Sequence, residues 1–362
     1  MPPLTTLPTM DPSELNDFVL QMERDRTSDF CDIVNTGKPL HKALERCGAI
    51  MNKPVSIVRE IPVKFHQARR ASFMSASQPT VAREFAENQF LTAAQYKYAA
   101  IVVTMTLAQF HEDMTTGGLA QFDYIKSRMD DKDQDLLLTY NDWLWDGATI
   151  GSDKIWGIKD IVQFDPSSDP ARGAVGNISV AEFPEWKNQS ADFDGAYKSL
   201  APGGVLRSML EYGDNSLGSV YRAASNNMEP DGNSSPDIIV ANEEYIRACE
   251  GLSLEGRLMK MSASSNQLGV DSFKFKDADI IWDENVPDAP TAGEGVAIGL
   301  NCKKGFNVVY PEGLRRKVGD KYKHPTEHGH AWDTFVYLNF VTANRKLNFV
   351  HYGVKPAEDL AA

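Results

Sequence analysis

The sequence predicts an α+β fold, with helices and strands segregated along the chain. Three observations predict it. One long helical periodicity, from Gly117 to Gly147, stands apart from the rest. The strand-like runs around it follow one another through turn-rich loops instead of alternating with helices as βαβ units do. The chain also finishes on two β-rich runs around Ala343-Asn344-Arg345-Lys346, which reads as a closing hairpin.

In order, residues 1–50 mix Pro, Thr and charges with one amphipathic stretch, Leu15, Phe18, Val19 and Met22, and read as an arm that needs a partner surface. From Val55 to Phe65, the apolar Val55, Ile57, Ile61, Val63 and Phe65 alternate with Ser56, Glu60 and Lys64, and Pro62 places this strand at an edge. His66 to Thr80 is polar, with Arg69 and Arg70, and a second β-rich run follows from Tyr96 through Val103. Two such runs around a polar tip describe an extended hairpin, a plain surface loop being the alternative. A hairpin of this kind has too little apolar surface to stand alone and should lie on another surface.

The helix carries Phe122, Ile125, Met129, Leu136, Tyr140, Trp143 and Leu144 at steps of three, four or seven, and Asp146-Gly147 ends it. It should be about 40 Å long. Asp123, Lys126, Asp130, Asp131, Lys132 and Asp135 are assigned to its polar face, and the run Asp130, Asp131, Asp133, Asp135 reads as solvated rather than catalytic. Beyond Trp156, short apolar runs alternate with Gly-, Asp-, Ser- and Pro-rich loops. Ile238 to Val240 forms a buried strand, and Asn242 caps a helix with Glu243 and Glu244 in its first turn. Phe273 to Phe275, Ile280 to Trp282 and Val296 to Leu300 are further strands.

Composition bounds the function. With 42% hydrophobic and 24% charged residues the chain can bury a sizeable core, and a net charge of −13 argues against a dedicated nucleic-acid binder. Cys31, Cys47, Cys249 and Cys302 lack CxxC spacing, so neither a disulfide framework nor a zinc site is expected, and a reducing compartment is the simpler reading. The start MPPLTTLPTMDPSEL is not that of an ordinary secretory signal, and no apolar run is long enough for a membrane helix, so no membrane partner is expected.

No constellation supports catalysis, and no cofactor is expected. His324-Pro-Thr-Glu327-His328-Gly-His330 offers four metal-ligating groups, but its spacing fits no helical zinc motif, and solvated loop histidines are expected instead. Gly293, Gly295 and Gly299 have neither the spacing nor the strand and helix of a phosphate loop and read as a turn into a strand. Cys249, beside Ile246 and Leu252, reads as a small core residue.

Charge is segregated. Residues 51–80 carry a net +4 and residues 302–323 a net +5, whereas residues 107–170 carry a net −8. Such a chain can bind copies of itself; nucleic-acid contact is the rival reading, without the interleaved aromatics of a stacking platform. Arg59, Lys64, Arg69, Arg70, Arg315, Arg316 and Lys317 are the candidate assembly contacts.

From Asn141 onward the order of features resembles the major capsid proteins of tailed bacteriophages, the Hong Kong 97-type coat fold. NDWLWDGATIGSDKIWGIKDIVQFD resembles the passage out of that family's spine helix, with Gly157 to Ile161 as its loop. Gly173-Ala-Val-Gly176, Phe183-Pro-Glu-Trp186-Lys-Asn188, PDIIVANEEYIRAC, DADIIWDENVPD, GVAIGLNCKKGFNVVYPEG and YLNFVTANRKLNFVHYGV follow in the family's order. Each motif is weak alone; together, over more than 200 residues, they are specific.

The resemblance implies an N-terminal arm (1–52), an extended loop (53–95), a peripheral domain with spine helix and closing hairpin (96–150 and 311–352), an axial domain (151–310) and a C-terminal tail (353–362). It implies a non-enzymatic shell protein forming hexamers and pentamers around double-stranded DNA, assembled in the host cytoplasm and located in the virion. A separate scaffolding protein, a portal and a decoration protein are the implied partners. A family branch crosslinks its subunits, and Lys64 could donate, but no matching Asn or carboxylate is found. An encapsulin-like nanocompartment and a soluble carboxylate-site enzyme are the alternatives.

Overall fold

A computed structural model describes residues 39–56, 58–64, 91–108, 118–151, 153–196, 198–201, 205–210, 215–225, 235–254, 272–320, 322–323 and 329–355. The amphipathic stretch at 15–22, the hairpin tip with Arg69 and Arg70, and His324, Glu327 and His328 lie outside them.

The chain opens with α1 (Pro39–Arg46), β1 (Ile50–Lys53), β2 (Val58–Lys64), β3 (Leu91–Lys97) and β4 (Ala99–Ala108). There follow the long α2 (Gly118–Asp146), the small hairpin β5 (Ala148–Ile150) and β6 (Asp153–Ile155), and the single-turn α3 (Ile158–Ile161). Next come β7 (Gln189–Ala196), β8 (Lys198–Ala201), β9 (Val205–Ser208), α4 (Leu217–Ser225), β10 (Ile238–Ala241) and α5 (Glu243–Leu254). The remainder is strand: β11 (Ser272–Phe275), β12 (Ala278–Trp282), β13 (Gly295–Leu300), β14 (Asn307–Pro311), β15 (Lys317–Val318), β16 (Tyr322–Lys323), β17 (Gly329–Val341) and β18 (Phe349–Lys355).

Two six-stranded sheets organise these elements. In the first, β17 pairs along Gly329 to Leu338 with β4 and at its far end with β14, which pairs in parallel with β1; β15 and β16 also pair with β17. The second runs β11-β12-β10-β13-β18-β7. Its central strands β10 and β13 are buried along their whole length, because the sheet is covered on both faces. Ile238, Val240, Ile298 and Leu300 face a core shared with α1, α2 and the first sheet. Ile239, Ala241, Ala297 and Phe349 face a second core with Leu217, Tyr221 and Tyr245 from α4 and α5. Each fully buried Ile or Val contributes about 1.5–3 kcal/mol.

Several expectations are met closely. The long helix runs 29 residues, about 43 Å, and buries Ile125, Met129, Leu136, Tyr140 and Leu144. Asn242 accepts from Tyr245 N at 3.1 Å and so caps α5. Gly293, at φ +81°, lies in the turn that leads into β13. Cys249 is fully buried in the second core.

Other readings are corrected. The closing β-rich runs are not a hairpin: β17 belongs to the first sheet, and β18 pairs with β13 and β7 in the second. Between them Asn344 Oδ1 accepts from Lys346 N and caps a 3-10 turn, while Arg345, fully buried, donates to the carbonyls of Asp160, Ile161 and Trp186. Those bonds pull the chain out of one sheet and into the other. The end of the expected arm is part of the body: α1 buries Leu40, Ala43 and Leu44, closes with Ala49 N on Leu44 O and Gly48 N on Glu45 O, and leads into β1. Lys132 and Asp133 are not on the solvated face of α2 but buried, against Thr334 and Arg316.

Candidate assembly surfaces

The hairpin is built from β2 and β3, in unbroken antiparallel register from Val58 opposite Lys97 to Lys64 opposite Leu91, and these two strands form a sheet of their own. Its inner face holds Val63, Ala94 and Tyr96, which are buried, with Ile61 and Arg59 half-buried beside them. Tyr96 anchors the base: its hydroxyl donates to Thr342 O at 2.8 Å, and burial pushes its pKa up. Pro62, exposed opposite Ala93, costs no ladder bond to a third strand, as expected of an edge. The partner run begins at Leu91, before the Tyr96 expected from the sequence, and the apolar run after Tyr98 enters the first sheet as β4.

The second surface is acidic. Asp130, Asp131, Asp135, Asp142 and Asp146 lie exposed along α2, with the apolar Leu138 exposed among them. At the C-terminal end of the helix a cavity of about 260 Å³ is lined by Asp142, Trp145, Asp146, Lys159, Glu284 and Asp288, among others. Lys159 pairs with Asp146 there. The turn that closes this end is tight: a Cβ on Gly157 would lie 2.3 Å from Gly147 N, so two glycine backbones meet where the chain leaves the helix. Arg172 fastens the same turn, bonding Asp146 O and pairing with Asp160 Oδ2 at 2.5 Å.

The sequence-derived basic contacts are placed as follows. Arg59 is half-buried in β2, and Lys64 is the last residue of that strand. Arg315 is half-buried with its guanidinium 4.7 Å from the centre of the Tyr310 ring, and its Nε and Nη2 have no hydrogen-bond partner among the described residues. Arg316 is turned inward, with Nη2 donating to Asp133 Oδ1 at 2.9 Å, so its charge is committed within the subunit. Lys317, exposed in β15 opposite Phe335, faces solvent. The zones at 53–64 and 315–317 adjoin at Lys53, which lies opposite Pro311 and accepts from Glu312 N at 2.7 Å, and of Arg315, Arg316 and Lys317 only Lys317 is exposed. Val102, exposed opposite Phe335 on β17, adds apolar surface to the first sheet.

Sequence reasoning missed Arg345 and the pair Asp133–Arg316. Burial lowers the Arg345 pKa to about 10, while desolvation and the Arg316 charge lower that of Lys132 to about 8. For Lys132 and Asp133 a signal existed: both fall at steps of three and four from Met129 and Leu136, inside the apolar stripe.

No protein-family profile and no curated protein matches the chain. Solved structures similar to it include the holo-SrpI encapsulin complex from Synechococcus elongatus, at 9% identity, TM-score 0.48 and 85% coverage of both chains. The capsid of an empty GTA particle is similar at 10% identity and TM-score 0.47, over 86% of this chain and 89% of that one. Gordonia phage Cozz follows at 13% identity and TM-score 0.45, over 86% and 85%.

Proposed function

We propose that this chain is a shell-forming coat protein, the major capsid protein of a tailed bacteriophage, which assembles as hexamers and pentamers into an icosahedral shell around double-stranded DNA. The observation that carries the reading is the order of the ordered motifs on the fold. A two-stranded hairpin and then a 29-residue helix precede the strands of the two sheets, in the sequence order of the coat-protein pattern. Shells of this kind close by symmetry through many weak contacts between copies.

The charge distribution supplies a mechanism of contact. The hairpin arm, with Arg59, Lys64, Arg69 and Arg70, lies over the exposed acidic row of α2 in a neighbouring copy. Exposed ion pairs contribute about 0–1 kcal/mol each, so apolar contacts must accompany them, and Leu138, exposed within the acidic row, is the residue to provide one. On this reading a scaffolding protein, a portal and a decoration protein act on the shell, which is assembled in the host cytoplasm and ends in the virion. None of the described residues is assigned a catalytic role.

The test is electron microscopy and sedimentation of the chain expressed with and without its genomic neighbours. Closed shells of hexamers and pentamers are expected. Monomers or dimers under every salt and scaffold condition would overturn the shell reading. Shells that copurify with an enzyme cargo, from a locus without terminase and portal genes, would overturn the phage assignment in favour of a nanocompartment.

A further inference from the structure

The C-terminal end of α2 carries a charge arrangement that a helix end disfavours. Helix C-termini concentrate partial negative charge and favour cations, yet the last turn of α2 has no basic residue, and Asp142 and Asp146 lie exposed there. Both line the cavity of about 260 Å³, as do Glu284 and Asp288 from the loop between β12 and β13. Lys159 is the one cation of its lining and is paired with Asp146. Asp142 and Asp288, both exposed, have no ion pair among the described residues.

Two buried polar groups at this cavity also lack partners among the described residues. Trp145 lines it and is 2% exposed, and its Nε1 has no hydrogen-bond partner. Asp283, also 2% exposed, holds the cavity-lining Asn285 through Oδ1, which accepts from Asn285 N and Nδ2 at 2.9 Å, while its Oδ2 has none. Buried polar groups are nearly always bonded, so an unmet donor and an unmet acceptor at one cavity point to a ligand that offers both. A metal ion does not: it has nothing for the Trp145 N–H, and no three of the described His, Cys, Asp and Glu residues form a group that could hold one.

We propose that the cavity is a receptor for a lysine side chain of a second copy, and that Lys317 is the occupant. The choice of occupant rests on the self-assembly read above; the chemistry of the cavity does not. Each part of a lysine finds its counterpart. The ammonium meets Asp142 and Asp288, the methylene stem lies along Trp145, Val286 and Pro287, and a carbonyl of the lysine's own backbone takes the Trp145 N–H. Lys317 is exposed on β15, has no ion pair among the described residues, and belongs to the net +5 zone at 302–323, opposite in sign to the net −8 at 107–170. Receptor and occupant sit on different elements, so the contact is heterologous and repeats from copy to copy.

The test has two arms, both on the unassembled full-length subunit at low salt. In the first, isothermal titration calorimetry with Nα-acetyl-lysine amide reads the cavity alone, and the neutral Nα-acetyl-norleucine amide serves as control. Only the lysine probe should bind. Asp142→Asn combined with Asp288→Asn should weaken it by about tenfold, an exposed ion pair giving up to about fivefold each. Lys159→Met should tighten it, because it releases Asp146, and a loss of structure would act in the opposite direction. In the second arm, sedimentation velocity over a concentration series reads association between copies. Lys317→Glu and Asp142→Lys should each reduce it, the two changes in one chain should restore it, and excess lysine probe should compete. Equal binding of probe and control, or binding that the carboxylate pair and Lys159→Met leave unchanged, overturns the site whether or not shells form. Association that Lys317→Glu leaves unchanged overturns the choice of occupant. A chain that binds the probe as expected and forms no shells loses the shell reading and keeps the site.

Discussion

Replacing Asp133 by Asn tests whether the polar seam under α2 is a balanced set of charges. Asp133 and Arg316 pair at 2.9 Å with side chains 3% and 1% exposed, and Lys132 is buried next to them, donating to Thr334 Oγ1. Asp133→Asn keeps the shape and removes the carboxylate charge that lies against the buried Arg316 and beside the buried Lys132. Breaking a buried pair in this way costs about 3–5 kcal/mol. Unfolding entropy near the melting point is about 2.1 cal/mol/K per residue, so 362 residues give about 0.76 kcal/mol/K and a fall in Tm of about 4–7 °C. Arg316→Met should cost less, about 1–3 kcal/mol, because the Lys132 ammonium remains as counter-charge to Asp133 and the Arg316 repulsion that lowers its pKa disappears. Asp133→Leu combined with Arg316→Met should melt close to the parent, since an apolar replacement removes the desolvation cost with the attraction. Differential scanning calorimetry of the unassembled subunit reads all three. An Asp133→Asn midpoint within about 1 °C of the parent, or a larger loss for Arg316→Met than for Asp133→Asn, would refute the reasoning.

Three further outcomes are expected. Burial lowers the pKa of His41 to about 3 and that of His351 to about 4, from 6.5, so the unfolded chain takes up protons first and stability falls as pH drops from about 6.5 towards about 4. Two such protons give a slope of up to about 2.7 kcal/mol per pH unit; urea titrations at stepped pH should show His351→Gln removing about half of it, and an unchanged slope would contradict the assignment. Gly157→Ala should cost at least the upper end of about 1–3 kcal/mol, because its Cβ would meet backbone at 2.3 Å, while Gly151→Ala, with open space around it, should cost only the φ strain of about 1 kcal/mol; equal melting losses would remove close approach as the reason for Gly157. Asp131→Lys with Asp135→Lys should lower particle yield in sedimentation and Arg69→Glu with Arg70→Glu should partly restore it, whereas unchanged yields would detach the hairpin from the acidic row.

What the sequence disclosed was governed by local rules. The 29-residue helix was legible because its apolar stripe repeats over many turns, and the Asn242 cap because side chain and amide lie three residues apart. The hairpin was legible as a motif but not in register, since Tyr98 continues the β-rich run on from β3 into another sheet without a turn signal. The crossing from β17 to β18 was misread for the opposite reason. A short polar break between two β-rich runs is what a hairpin shows, and the carbonyls that redirect the chain belong to residues 160, 161 and 186, far from Arg345. At Lys132 and Asp133 the periodicity argued for burial and the residue types against it; the periodicity won because Arg316 and Thr334 supplied partners that sequence alone did not place.

The two sheets are joined at a hydrogen-bonded crossing, which decides where the subunit can flex. The chain passes from the second sheet to the first between β13 and β14, and back between β17 and β18. Both passages are tied together: Asn348 Oδ1 accepts from Asn301 N at 3.0 Å, its Nδ2 donates to Gly305 O at 2.8 Å, and Ala343 N donates to Lys304 O at 2.9 Å. Asn301 and Asn348 are fully buried, so moving one sheet against the other would strand these groups without water, at about 1–3 kcal/mol for each unsatisfied group. The β2–β3 hairpin pairs with no third strand among the described residues; side chains hold its base, Tyr96 donating to Thr342 O, Asn339 Nδ2 donating to Lys97 O, and Lys97 pairing with Asp153 at 2.6 Å. On the shell reading proposed above, a copy that must fit both five-fold and six-fold surroundings would therefore keep its two-sheet body and adjust the hairpin beyond the base that Tyr96 and Lys97 hold.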